Sequence, residues 1–213
     1  MDVSTAGVVL FLHIAVAIVA FAMAGVLHTS LQVIGRARRV EEIRTWGAVA
    51  HKLEPLLPLM ALALLALGAW LVHLGQHTDD KFSFSTGWVL TAIVTVVVVE
   101  AIGGILLKPR GERLNELIAT APDGDIPPEI RTAARDSVFW DMAHLTTFAF
   151  LGIVFVMAAK PDGAWAPLFP VVGGLIGIAL SRWQLSGLPS YDAPAADVPD
   201  QRAQSAVATE AAN

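Results

Sequence analysis

The apolar positions of this chain fall into five long runs separated by polar segments. Ala6 to Leu27 is broken only by His13, and Pro55 to Leu74 only by His73 near its end. Trp88 to Leu107 is valine-rich and interrupted by Glu100; Val138 to Ala159 carries Asp141 and His144 early; Ala164 to Leu180 is shorter. A helix that crosses a bilayer needs roughly 20 apolar residues, with about 17 as the lower limit. The stretch "VVVVEAIGGILL" would read as a strand in water, but in lipid a helix satisfies its own backbone polar groups and an open strand does not. The pattern therefore predicts an all-α integral membrane protein, a bundle of five transmembrane helices within residues 1–185.

The segments between the runs add two shorter elements. In the loop 108–137, Leu114, Leu117, Ile118 and Ala121 share one helical face, which predicts an amphipathic helix along the membrane surface. "PDGDIPPEIRTAARDS" predicts a turn, then a helix opened by Pro128 that runs straight into the fourth span. Residues 186–213 are Pro, Ala, Asp and Ser without periodicity and predict a disordered tail.

Composition supports the membrane assignment. Of 213 residues, 55% are hydrophobic and 15% charged, whereas a soluble domain carries about 25% charged residues. Mean hydropathy is +0.61. Basic residues are unevenly placed: 12 of the 14 flank one set of run ends, leaving only Lys81 and Lys160 for the other. By the positive-inside rule the N-terminus faces out and the C-terminus lies in the cytoplasm of a bacterial inner membrane. "MDVST" lacks a positive segment, so the first run is expected to be retained rather than cleaved. A net charge of −5 with no basic block beyond Arg36 to Arg39 argues against nucleic acid as partner, and the absence of cysteine excludes disulfides and thiolate metal sites.

Ionisable groups inside spans are costly, which makes them candidates for function. At a rise of about 1.5 Å per residue, Glu100 lies roughly 4 Å and His144 roughly 7 Å to the cytoplasmic side of their span centres. The two are thus expected to pair, or Glu100 to take up a proton. Gly103 and Gly104 share the Glu100 face and predict close helix packing there. "HKLE" and "DMAH" each set an acid and a histidine at i, i+3, and His28 sits at similar depth. Together Glu54, Glu100, Asp141, His144 and His28 form a candidate metal or proton site, of the kind carboxylates and histidines build on facing helices. Span-end positions also have a plainer reading, in which Asp141 and Glu54 complement helix dipoles. His13 lies roughly 5 Å to the outer side, so it differs from His144 by roughly 12 Å in depth. That disfavours haem b held by this pair of cofactor candidates, and leaves single-histidine ligation. Gly173 and Gly177 have GxxxG spacing, suited to packing inside the bundle or to a homo-oligomer or membrane-protein partner.

"VVLFLHIAVAIVAFAMAGVL", "LEPLLPLMALALLALGAWLV", "KPRGERLNELIATA" and "FVMAAKP" together resemble uncharacterised bacterial integral membrane proteins with a domain of unknown function. These are grouped loosely with the CopD-like (copper-resistance D) four-helix membrane proteins. The resemblance spans roughly Val8 to Pro161. It implies a helical membrane architecture and, at His13, a role in binding haem or copper. No nucleophile elbow, phosphate loop, zinc-protease motif or dinucleotide fingerprint is present. Two functions stand open: a structural or accessory membrane subunit, the commoner case, or a haem-, metal- or proton-binding protein in redox or transport chemistry, using Glu100 and His144 or His13.

Overall fold

A computed structural model describes residues 4–75, 83–161 and 163–188. The predicted disordered tail lies outside these residues from position 189 on, as do His77 and Lys81 of the second connection. Among the described residues the chain is helical with no strand; an isolated bridge joins Arg39 to Asp125. Eight α-helices follow in order: α1 (Thr5–Arg36), α2 (Val40–Leu53), α3 (Leu56–Gly75), α4 (Gly87–Ile102), α5 (Lys108–Thr120), α6 (Pro128–Ala134), α7 (Ser137–Ala159) and α8 (Leu168–Ser186). A π-helical turn, Gly103–Leu107, joins α4 to α5, and a 3₁₀ turn, Gly163–Trp165, precedes α8.

The five apolar runs lie within α1, α3, α4 with its π turn, α7, and the α8 region, and five helical stretches are long and apolar enough to cross a membrane. Their outward faces are oily: Phe11 is 67% exposed, Leu62 65% and Leu175 60%. Such a surface suits hydrocarbon and not water.

Two packed cores organise the bundle. The first gathers Ile34 from the end of α1, Val40 and Ile43 from α2, Leu114 and Ile118 from α5, and Ile130 and Ala134 of α6. The second joins Ala61 of α3, Ala92 and Val96 of α4 and Ile153 of α7, with Phe150 and Met157 against them. The α5 face carrying Leu114 and Ile118 is thus turned onto protein, with Leu117 and Ala121 packed against the same core. Helices α2 and α6 supply that face with apolar protein partners. Helix α2 is a helix that the run pattern passed over. Its charged residues conceal the spacing of Val40, Ile43 and Gly47, all buried.

The fourth span also differs from expectation. Helix α6 does not run straight into it; the chain breaks at Arg135 and Asp136. Asp136 caps α7, its Oδ1 accepting from the backbone N–H of Val138 at 2.8 Å and Phe139 at 3.0 Å. Two otherwise unpaired donors of the helix end are satisfied this way. Asp141 therefore sits in the second turn, one turn beyond the position assigned to it as a dipole partner.

Helix α8 lies along α7, and glycine sets the distance. A Cβ added to Gly177 would stand 2.5 Å from the His144 carbonyl oxygen, and one at Gly173 would meet the Phe148 carbonyl. From the other side, a Cβ at Gly152 would stand 2.6 Å from Pro170 Cα. Here the GxxxG spacing works within the chain, bringing two backbones together. Gly103 and Gly104 behave otherwise: nothing lies within 4 Å of a Cβ at either. Both border an open chamber.

Candidate functional site

The chamber, about 680 Å³, lies between the two cores and borders both, since Ile34 and Leu114 of one and Ala61 of the other are in its wall. Helices α1, the α2–α3 segment, the α4–π–α5 segment and α7 surround it. Its lining is mostly apolar, and the polar groups are few: His28, His51, Glu54, Glu100, Lys108 and Glu112 carry the ionisable ones. Lys108 Nζ lies 3.9 Å from Glu112 Oε1, which pairs two of them.

Of the histidines and acids singled out from the sequence, the structure brings His28 and His144 together. Their Nε2 atoms are 3.0 Å apart and their rings meet edge-on with centroids at 4.1 Å. His144 is fully buried, stacked beside Trp140 at 5.8 Å. Its Nδ1 is 2.8 Å from the Trp140 carbonyl. A carbonyl only accepts, so Nδ1 carries a proton. Its Nε2 also lies 2.8 Å from Gln184 Oε1 on α8, and Gln184 in turn meets Gln32 of α1. His28 Nε2 and Gln184 Oε1 both meet this one nitrogen of His144, and the tautomers set which atom donates. One polar knot thus ties α1, α7 and α8.

Glu100 is not the partner of His144. Depth placed the two at similar levels, but rotation about the helix axis points His144 at α1 and α8 while Glu100 faces the chamber. Asp141 is likewise engaged elsewhere: it is buried, accepts from Ser181 Oγ at 2.8 Å, and forms an ion pair with Arg182. Glu54, at the junction of α2 and α3, faces the chamber with His51. The proposed five-residue metal set therefore does not assemble. Among the described residues no three His, Asp or Glu side chains converge as metal ligands.

His13 stands apart from the chamber. Its ring fills the space over Gly68, where an added Cβ would be 3.4 Å from Cε1. The Leu64 backbone is within electrostatic reach, yet Nδ1 is buried without a hydrogen bond. An unbonded ring nitrogen suits a ligand, but His13 is not among the residues lining the chamber.

The sequence reading missed Gln32, Gln184, Ser181 and Arg182. The glutamines are uncharged and so escape a search for ionisable groups, and both sit in the polar C-terminal turns of their helices. Arg182 and Ser181 sit past the end of the fifth run, where a basic residue reads as a topology signal alone. Compared with family models, curated proteins and solved structures, the chain matches none.

Proposed function

We propose that this chain is a multi-pass protein of a bacterial inner membrane, its N-terminus outside and its C-terminus cytoplasmic, that binds an apolar or amphiphilic small molecule in the chamber. The observation that carries this reading is the chamber itself. Protein interiors are packed about as densely as organic crystals, with few voids larger than a water molecule. This space, about 680 Å³ and mostly apolar, is open along a rim where Pro58, Gly104 and Lys108 are exposed, so a molecule can enter it. Binding pockets for small molecules run from about 300 to about 1,000 Å³, largely apolar with a few polar groups. The orientation rests on the basic residues, 12 of 14 on one side. In that orientation the chamber occupies the cytoplasmic half of the bundle, between the membrane centre and the α2–α5–α6 cap. Helices α3 and α4 touch each other sparsely and both line it, so the wall is thinnest where a molecule dissolved in the bilayer would arrive.

Gly104→Phe tests this reading. An added Cβ meets nothing within 4 Å, and replacing a helical glycine by phenylalanine gains about 0.5 kcal/mol of propensity. The variant should fold, melt no lower than wild type, and lose binding of the neutral fluorophore N-phenyl-1-naphthylamine. Wild type should bind that probe saturably with one site per chain. Equal, non-saturable uptake by both proteins would remove the chamber as a binding site.

A further inference from the structure

Resting on the chamber as a binding site, we propose that its ligand is a lipophilic organic cation. Three features of the wall carry this. The first is the charge that is left over. Glu54, Glu100 and Glu112 face the chamber against Lys108 as the one fixed cation in the lining, and Lys108 pairs with Glu112. Glu54 and Glu100 form no hydrogen bond or ion pair with any described residue, although the charges of His51 and Lys108 reach Glu54, and each is about half buried. A carboxylate withdrawn from water among apolar side chains is stable only if it is neutralised by a proton or by a positive partner. A ligand that carries the positive charge supplies that partner.

The second feature is aromatic. Phe21, Phe139 and Phe150 lie in the wall, with the Phe21 and Phe150 rings stacked at 5.7 Å. The faces of such rings attract a cation, more strongly once water is excluded. The third is the apolar extent of the chamber, which would leave a small hydrated ion largely uncontacted. No three ligating side chains converge among the described residues, so a coordinated divalent metal finds no cage. An organic cation with its charge spread over an apolar body matches all three: carboxylates for charge, phenylalanines for the cation face, aliphatic wall for the body. An anionic amphiphile would meet the carboxylates of Glu54 and Glu100 and is selected against.

The test compares two probes of similar shape, tetraphenylphosphonium and the uncharged triphenylphosphine oxide. The full chain is held in zwitterionic phosphatidylcholine nanodiscs, with empty discs as blank. Wild type should bind tetraphenylphosphonium at least about tenfold more tightly than the phosphine oxide. Glu54→Gln and Glu100→Gln, made singly and together, should erode that preference while leaving the phosphine oxide unaffected. The single variants guard against one of them failing to fold, and the two-probe comparison on wild type needs no variant. Equal binding of the two probes, or a preference that survives both substitutions, overturns the cation assignment and leaves the chamber standing. Failure of both probes together with N-phenyl-1-naphthylamine overturns the chamber reading as well.

Discussion

Gly177→Leu is expected to abolish a folded, monodisperse protein in mild detergent. The α7–α8 contact is backbone against backbone: an added Cβ stands 2.5 Å from the His144 carbonyl oxygen and 2.7 Å from its carbon. No rotamer relieves such a clash, because the Cβ position is fixed by the main chain. The helices must part, and everything that depends on their spacing goes with them. That includes the Ser181 and Arg182 contacts to Asp141 and the Gln184 contact to His144. Overpacking a close contact costs about 1–3 kcal/mol and sometimes more. Asp141 would also lose both its Ser181 and its Arg182 partner. Gly177→Ala should show a graded version of the defect. Size-exclusion profiles and thermal unfolding of the two variants check this. A monodisperse Gly177→Leu melting with wild type would mean that α8 is not held in this register.

The second large effect is expected at Trp140. Its side chain is fully buried, its indole N–H donates to the Ala134 carbonyl at 3.0 Å, and its ring stands against His144. It also rests on α1 where Gly35 leaves room; a Cβ there would lie 2.5 Å from Trp140 Cζ2. Trp140→Ala removes the largest side chain between α1, α6 and α7 and should cost about 3–5 kcal/mol. In lipid little of that is hydrophobic transfer, since helices gain none by leaving the bilayer; the loss is packing and a cavity. Trp140→Phe keeps most of the ring and loses the hydrogen bond, so its cost should be nearer 1 kcal/mol. Coupling gives a sharper check. Gly35→Ala should be strongly destabilising alone and close to neutral on the Trp140→Ala background. Additive effects in denaturant unfolding would show that the two residues do not share that space.

How much of this was legible in the sequence depends on what each feature requires. The spans were legible because apolar runs long enough to cross a bilayer have few alternatives, and they map onto α1, α3, α4, α7 and α8. Helix α2 was not, because a helix packed on one narrow stripe looks polar by composition. His144 stood out as an ionisable group in an apolar run, but its partner did not. Position along a helix gives depth, and depth alone ranked Glu100 and His28 alike. Choosing between them needs the rotation of each helix about its axis, which the packing of all five sets together. The glycines divide in the same way. Gly173 and Gly177 share the spacing of a contact motif and make one; Gly103 and Gly104 belong to a helical face that borders empty space. Nothing in either local pattern separates the two cases, since the difference lies in what stands opposite. The chamber itself has no sequence signature, being a void bounded by four segments from distant parts of the chain.

The account stands or falls on whether that void holds a molecule. The measurement that addresses it most directly is native mass spectrometry of the protein released from detergent, comparing wild type with Gly104→Phe after equilibration with N-phenyl-1-naphthylamine. The account predicts one adduct of the probe's mass on wild type, saturating at a single copy, and none on Gly104→Phe. A ladder of adducts that is the same on both proteins would contradict it.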